Sequence, residues 1–141
     1  MAYDDQNIFA KILRGEAPAY VVYEDAHSLA FMDIMPQVEG HTLVIPRQGA
    51  ENLFDVDPDA LGHTIRATQH VARGVRRAFD AEGVMIAQLN GAAAGQTVFH
   101  LHFHIIPRSG GIDLRLHARE KADPDVLAQH ARRVRAALAE L

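Results

Sequence analysis

His100-Leu101-His102-Phe103-His104-Ile105-Ile106 is the stretch around which the rest of the chain is organised. Side chains on a β-strand alternate between its two faces. The three histidines are therefore expected on one face, and Leu101, Phe103 and Ile105 on the other. The apolar face needs a core to cover it, whereas the imidazole face is predicted to form a reactive surface. Neighbouring histidines would lie roughly 6.5–7 Å apart at their Cα atoms, which leaves room for a phosphate group between two rings.

The composition is that of a single globular domain. The chain has 141 residues, of which 48% are hydrophobic and 23% charged, enough for one domain with a substantial core. Its formal net charge of -4 disfavours binding to nucleic acid or to a membrane surface. The absence of cysteine excludes disulfides, thiol catalysis and cysteine-ligated metal sites. An acidic N-terminus without an apolar signal segment, and the lack of any membrane-spanning apolar run, lead us to expect a cytoplasmic protein.

The first part of the chain is predicted to form a short helix followed by three strands. Asp5 is a candidate N-cap for a helix with an apolar stripe made of Ile8, Phe9, Ile12 and Leu13. Strands are predicted over residues 20–23, 28–34 and 41–45, and the first two form an antiparallel hairpin.

The second part is predicted to contain the main helix, two further strands and a last helix. The main helix starts at Asp57-Pro58, and its inward face is formed by Leu61, Ile65, Thr68, Ala72, Val75 and Phe79. Strands are predicted over 84–90 and 97–106, the latter ended by Pro107, and the last helix starts at Asp123-Pro124. The predicted class is α+β, with a five-stranded, mostly antiparallel sheet.

The alternating histidines allow three interpretations. They could be the polar side of a half-exposed strand, although three in register are improbable by chance. Two of them could share a zinc ion with His41 from a neighbouring strand. It is harder for all three to bind one ion, because His100 and His104 would lie roughly 13 Å apart at Cα. The third interpretation is a metal-free site for phosphoryl chemistry.

In the metal-free interpretation the central ring, His102, is the nucleophile. A neutral imidazole is a good nucleophile near pH 7 and forms a covalent phosphoramidate. His100 and His104 on either side would donate hydrogen bonds to phosphate oxygens, since imidazole donors stabilise developing negative charge without a lysine or a metal. Residues 91–99 contain no Lys or Arg, which suits such a site.

These residues also resemble a known family. Residues 95–108 are similar to the signature of the histidine triad (HIT) family, His-x-His-x-His followed by two apolar residues. Three upstream stretches resemble the same family, namely Asn7-Ile8-Phe9-Ala10-Lys11-Ile12, Phe31-Met32-Asp33-Ile34 and His41-Thr42-Leu43-Val44-Ile45-Pro46. The resemblance implies a HIT-like fold, with a HIT domain over 1–110 and with 111–141 as a C-terminal tail and helix of the same domain.

The resemblance also implies an activity. HIT proteins of this kind are nucleotidyl hydrolases or transferases that attack the α-phosphate of purine nucleoside phosphoramidates or dinucleoside polyphosphates. The reaction passes through a covalent nucleotidyl-histidine intermediate and needs no metal or other cofactor. Relatives pair their sheets, so a homodimer is expected. Two alternatives stay open: a nucleotide-binding sensor or scaffold without turnover, and a zinc-dependent hydrolase that uses His41 with triad histidines.

Roles of individual residues follow from the same resemblance. His102 matches the nucleophile, and the other expected catalytic residues are His100, His104, His41 and Gln96. Asp33 matches a ribose-binding carboxylate and Asn90 a residue that orients the site. Gln96 and Thr97 match positions near the scissile phosphate and leaving group, and Gly95 and Thr97 are expected to bind substrate. The apolar purine slot is expected to contain Ile8, Phe9, Ile12, Phe31, Ile34 and Leu43.

Two features depart from the family pattern. The loop Gly91-Ala92-Ala93-Ala94-Gly95 is apolar where relatives often carry acidic or hydroxyl residues, and the cysteine-based zinc site of some bacterial members is absent. The remaining histidines are expected to be solvated side chains without a role in the site. They are His27, His63, His70, His117 and His130.

Overall fold

Three helices and five strands make up the computed structural model, which describes residues 2–110 and 121–141. In chain order the elements are α1 (Ile8–Leu13), β1 (Val21–Glu24), β2 (Ser28–Met32), β3 (Thr42–Pro46), α2 (Pro58–Ala78), β4 (Gly83–Ala87), β5 (Phe103–Arg108) and α3 (Pro124–Ala139). The predicted α+β class is confirmed. Within the described ranges, no helix has both the length and the apolar character needed to cross a membrane.

The five strands form one sheet in the order β1-β2-β3-β5-β4, and each neighbouring pair is antiparallel. β3 and β5 are distant in sequence but adjacent in the sheet, where Leu43 pairs with His104. His41, which immediately precedes β3, is therefore brought next to the histidine stretch.

The two faces of the sheet are covered differently. On one face α2 and α3 pack against alternate strand residues, and this cluster includes Val22, Ala30, Met32, Val44 and Ile105 with Val71, Val75 and Val134 from the helices. On the other face Phe9 of the short α1 packs against Leu29, Phe31, Leu43 and Ile45. Burying side chains of this kind stabilises the fold by about 1.5–3 kcal/mol each. Because α1 has only six residues, it covers only part of its face.

α2 starts where expected, but its inward face differs from the prediction. The Asp57 carboxylate caps the helix by accepting from the N–H groups of Asp59 and Ala60. The buried residues are Thr64, Ala67, Thr68, Val71, Gly74 and Val75. Ile65 was expected to face inward and is instead 45% exposed. The buried stripe is rotated because it includes small residues such as Gly74, against which Leu138 of α3 packs closely.

The predicted fifth strand was wrong at both ends. β5 begins at Phe103 rather than residue 97, because the chain bends over residues 98–100 and the Leu101 N–H donates to the Ala50 carbonyl at 2.8 Å. Pro107 does not end the strand but pairs with Val84 of β4. Its missing N–H is tolerated because the pairing of β5 with β3 stops at Ile105.

Differences of two or three residues occur at three other boundaries. The N-cap of α1 is Asn7 rather than Asp5, since the Asn7 side chain accepts from the Ala10 N–H. β2 ends at Met32 rather than at residue 34. β4 ends at Ala87 rather than at residue 90, and residues 91–95, called the alanine loop below, follow soon after.

The prediction of solvated histidines was wrong for His130. Its ring is buried in α3 and lies edge-on to Phe79, with ring centroids 5.2 Å apart, and burial lowers its pKa. His27 is exposed and stacks on His63 with a centroid separation of 3.6 Å. His117 and the predicted tail over 111–120 lie outside the described residues.

Candidate active site

The three histidines of the triad lie side by side, with Phe9 of α1 against His100 and His102, although only His104 belongs to a regular strand. His100 lies in the bend before β5, so strand alternation does not explain its position. The His102 ring lies 4.9 Å from the His104 ring and 5.0 Å from the Phe9 ring, between centroids. All three are buried, which corrects the expectation of an open reactive surface. His100 and His104 are 0% exposed and His102 is 5% exposed, so His102 is the triad ring that solvent reaches.

One hydrogen bond fixes the tautomer of His102. Its Nδ1 lies 2.7 Å from the backbone carbonyl oxygen of His100. A carbonyl oxygen only accepts, so Nδ1 carries the proton. A neutral His102 therefore has its basic lone pair on Nε2, the nitrogen that would attack a phosphorus atom.

His100 is held at both ring nitrogens. Its Nε2 lies 2.8 Å from the Pro46 carbonyl oxygen, which makes Nε2 the donor. Its Nδ1 lies 2.6 Å from the Tyr3 hydroxyl oxygen. Burial lowers the pKa of His100 from 6.5 to about 4, so the ring is neutral near pH 7. A neutral Nε2–H ring accepts at Nδ1, and Tyr3 is therefore the donor in that contact.

His41 and His104 form a second chain of directed hydrogen bonds. The Gln37 backbone N–H donates to His41 Nδ1 at 2.9 Å, so a neutral His41 carries its proton on Nε2. That nitrogen lies 3.0 Å from His104 Nδ1. His104 then accepts at Nδ1 and carries its own proton on Nε2. The chain turns His104 into a hydrogen-bond donor beside His102.

The Asp33 carboxylate points toward His41. Its Oδ1 accepts from the Met35 N–H at 2.8 Å, and its Oδ2 lies 3.4 Å from His41 Nε2. Asp33 is 6% exposed, so its carboxylate lies at the edge of the same buried network. A negative charge at this position favours a proton on His41 Nε2.

Asp33, His41 and His104 are also the described residues that could hold a metal ion. One ligand atom from each lies within 4.8 Å of the other two. Two imidazole nitrogens and a carboxylate suit zinc. The zinc alternative had paired His41 with two triad histidines, whereas the structure groups it with one of them and a carboxylate. The 3.0 Å separation of the two rings is that of an N–H···N hydrogen bond, so metal-free chemistry also accounts for it.

Gln96 holds the loops around the site. Its side chain is buried, its Oε1 accepts from the Gly91 N–H at 2.8 Å, and its Nε2 donates to the carbonyls of Glu51 and Val98. These bonds connect the alanine loop to the loop that precedes α2. Asn90 adds to this connection, because its Oδ1 accepts from the Leu53 N–H at 2.9 Å. Gly95 and Thr97 lie on either side of Gln96 in the chain, and both are exposed.

The six residues expected in the apolar slot divide into two groups. Phe9, Phe31 and Leu43 are buried in one cluster, and the half-buried Ile12 packs against it. Ile8 and Ile34 stay outside it, at 46% and 43% exposure. The exposed pair has the apolar surface that a base could cover, whereas the buried group forms the floor beneath α1.

Sequence reasoning missed Tyr3, Gln37 and Pro46. Gln37 and Pro46 act through backbone groups, which carry no side-chain signal in a sequence. Tyr3 lies 97 residues from His100 and outside every predicted element. Its only indication was a polar aromatic side chain close to the predicted first helix.

Comparison with known proteins identifies the family. A model of the HIT domain matches residues 14–111. The solved structure of a HIT-like protein from Bartonella henselae has a TM-score of 0.90 and 50% identity, covering 97% of this chain and 99% of that one. Protein hit of Bacillus subtilis is 45% identical over 103 residues, 73% of this chain and 71% of that protein. The adenylylsulfatase HINT3 of Arabidopsis thaliana is 36% identical over 101 residues, 72% of this chain and 51% of that protein.

The fold and the row of histidines define a histidine triad protein, and the chain belongs to the HIT domain family. HIT proteins bind nucleotides and form a superfamily of hydrolases and transferases. The match also confirms the expected HIT-like fold.

Proposed function

We propose that this protein is a nucleotidyl hydrolase or transferase in which His102 attacks the α-phosphate of a purine nucleoside phosphoramidate or dinucleoside polyphosphate. One observation carries the proposal. The His100 carbonyl holds the proton of His102 on Nδ1, which leaves the basic lone pair on Nε2 of the least buried triad ring. A nucleophile prepared in this way needs no general base to remove a proton before it attacks.

In the first step a bond forms between His102 Nε2 and the α-phosphorus. The bond from phosphorus to the leaving-group nitrogen or oxygen breaks, its electron pair stays with the leaving group, and the leaving group takes up a proton from solvent. The substituted ring of His102 keeps its Nδ1 proton and is now cationic. The His100 carbonyl accepts from this cation at short range, which stabilises the intermediate.

In the second step water adds to the phosphorus of the nucleotidyl-histidine. The bond from phosphorus to Nε2 breaks, its electron pair returns to the ring, and a nucleoside monophosphate and one proton are released. The Nε2–H group of His104, maintained by His41, is a donor for the phosphate oxygens in both steps.

The substrate class is a purine nucleotide with its leaving group on the α-phosphate. Ile8 and Ile34 offer exposed apolar surface for the base, and Asp33 is the acceptor for the ribose hydroxyls. An apolar slot discriminates poorly among purines. Adenylylsulfate, the substrate class in the name of the plant relative, has the same arrangement and belongs in the test panel.

We also propose a homodimer formed through β4, which is an edge strand of the described sheet. A groove of about 560 Å³ runs between β4 and α2 and includes Ile65, Ala72, Val84 and Ile86. Ile65 and Ile86 are 45% and 44% exposed. An open strand edge beside exposed apolar residues favours pairing with the same edge of a second copy. The proposed location is the cytoplasm, where nucleotides are available.

The test combines turnover with detection of the intermediate. Adenosine 5′-phosphoramidate, diadenosine polyphosphates and adenylylsulfate are assayed with the wild type, His102→Asn and the remote control His63→Asn. The Asn variant is expected to lose at least about 10⁴-fold in turnover while it still binds AMP, because its amide cannot act as the nucleophile. Intact mass after an alkaline quench should show a nucleotidyl adduct in the wild type.

Three outcomes would reject the proposal. Full turnover in His102→Asn would show that His102 is not the nucleophile. AMP binding without turnover of any compound and without an adduct would favour a sensor or scaffold. One tightly bound zinc ion per chain that turnover requires would favour the metal alternative.

A further inference from the structure

Tyr3, near the start of the chain, is hydrogen-bonded to a histidine of the triad. Its hydroxyl lies 2.6 Å from His100 Nδ1, and the two rings meet edge-on with centroids 5.7 Å apart. The same hydroxyl accepts from the Asn7 side-chain amide at 2.9 Å. Asn7 is the N-cap of α1, so one hydroxyl joins the start of that helix to a buried histidine.

The direction of these bonds follows from the groups involved. Burial keeps the pKa of Tyr3 above its usual value of 10, so the hydroxyl is protonated near neutral pH. His100 is neutral there and donates through Nε2 to Pro46, which leaves Nδ1 as an acceptor. The Tyr3 hydroxyl therefore donates a hydrogen bond to His100 and accepts one from Asn7. The two bonds form one chain with a defined direction.

Gly49 provides the space that Tyr3 occupies. A Cβ at residue 49 would lie 2.7 Å from Cε2 of the Tyr3 ring, closer than real Cβ contacts allow. Gly49 follows β3 and is exposed, so a methyl group there would meet the tyrosine ring before any triad residue. The chain therefore offers two independent ways to disturb the same hydroxyl.

We propose that Tyr3 is a positioning residue for the nucleophile. Its hydroxyl holds His100 as the Nε2–H tautomer bonded to Pro46, and this fixes the His100 carbonyl that receives the Nδ1 proton of His102. The effect passes through His100, and Tyr3 itself does not contact the reacting atoms. The catalytic consequence rests on the proposed function, whereas the hydrogen-bond chain does not.

The bond chain is tested by NMR of the histidine rings, which does not depend on turnover. The variants are Tyr3→Phe and Gly49→Ala in the full chain, with Tyr23→Phe as the matched control. Tyr23 also loses one hydroxyl hydrogen bond, to Asp25 at 2.9 Å, but it lies on β1. In the two test variants the His100 Nδ1 resonance should move toward that of an unbonded nitrogen, and the His102 Nδ1 proton should exchange faster with water.

The catalytic consequence is tested by steady-state kinetics with adenosine 5′-phosphoramidate. Tyr3→Phe should lower kcat by about tenfold with little change in KM, because loss of one such bond corresponds to about 1.4 kcal/mol. Gly49→Ala should change kcat in the same direction. The double variant should be no slower than the slower single variant, since both changes act through one hydroxyl.

The outcomes separate this inference from the proposed function. Unchanged His100 and His102 resonances in Tyr3→Phe would overturn the hydrogen-bond chain, whatever the wild-type activity. Altered resonances with wild-type kcat would overturn the positioning role. A wild type without turnover, but with the expected NMR changes, would reject the proposed function and leave the bond chain intact. A kcat loss of equal size in Tyr23→Phe would show that the effect is general destabilisation, against the proposal.

Discussion

At the scale of single residues, the direction of each hydrogen bond decides which imidazole nitrogen is basic. Backbone carbonyls fix the protons of His100 and His102, and a backbone N–H fixes that of His41. These partners are not visible in the sequence, since every residue carries the same backbone groups. The sequence shows that the histidines alternate along the chain and predicts that they lie in a row. The surrounding backbone then gives each histidine a different role.

The buried triad makes stability depend on pH. The pKa of His100 is about 4 in the folded chain and about 6.5 in the unfolded chain, so between these values the unfolded chain binds more protons. Stability is therefore full above about pH 6.5 and declines as the pH falls toward 4. The expected loss from His100 is about 3 kcal/mol. Burial of His130 lowers its pKa as well and acts in the same direction.

Chemical denaturation at several pH values between 4 and 7.5 measures this effect. The free energy of unfolding of His100→Asn should vary less with pH than that of the wild type. His27→Asn, which replaces an exposed histidine, should keep the wild-type slope. A wild-type stability that is constant between pH 6.5 and 5 would contradict the prediction.

A second prediction at this scale concerns metal. Because His41 and His104 are joined by a hydrogen bond, extensive dialysis against EDTA should leave turnover unchanged, and added zinc should not raise it. Metal analysis of the protein before and after dialysis serves as the control. Activity that disappears with one zinc ion per chain and returns on its addition would show that the cluster with Asp33 is a functional metal site.

At the scale of elements, contact between α2 and α3 decides which helix face is buried. Small residues on α2 allow α3 to approach, and a Cβ at residue 74 would lie 2.5 Å from Cδ2 of Leu138. The apolar spacing alone placed Ile65 inside, since periodicity does not report how closely a neighbouring helix packs. The short α1 is likewise positioned by contacts outside the helix itself. Its N-cap Asn7 is hydrogen-bonded to Tyr3.

Two glycines in α2 form a matched pair for testing this contact. A methyl group added at Gly62 would meet no packed neighbour within 4 Å, so Gly62→Ala should stabilise the protein by about 0.5–1 kcal/mol through helix propensity. Gly74→Ala gains the same propensity but is overpacked against Leu138, a cost of about 1–3 kcal/mol. Thermal unfolding should therefore place Gly74→Ala below Gly62→Ala. Equal stabilisation in both variants would show that α3 moves away without cost.

At the scale of the whole molecule, the sheet leaves one edge open beside an apolar groove. β5 is enclosed between β3 and β4, whereas β4 has a neighbour on only one side in the described sheet. His104 pairs with Leu43, which belongs to the cluster on the α1 side of the sheet, so pairing through the β4 edge would not cover that face. This arrangement supports the proposed dimer without placing its interface over the nucleophile.

Sedimentation velocity over a range of concentrations tests the dimer. Ile86→Lys places a charge in the proposed interface and should weaken association by at least about a hundredfold, because an unpaired buried charge costs about 3 kcal/mol or more. Val126→Lys is the control, since it also replaces an exposed apolar residue but lies on α3. A wild-type monomer at all concentrations, or equal weakening by both variants, would contradict a dimer through β4.

The sequence by itself determined the α+β class, the order of the elements and the identity of the triad. These features have local signals: short apolar runs in β2 and β3, aspartate caps at Asp57 and Asp123, and histidines at every second position. Local signals arise from neighbours along the chain, and they survive in a sequence because each element must bury a defined set of its own side chains.

Only the tertiary structure decided the burial of the triad, the bend at His100, the tautomers, and the contact of Tyr3 with a residue 97 positions away. It also decided that His130 is buried and Ile65 exposed. These properties depend on hydrogen bonds and packing between segments that are distant in sequence. Such contacts leave no periodic trace, because each is made by one pair of residues at one distance rather than by a repeated pattern.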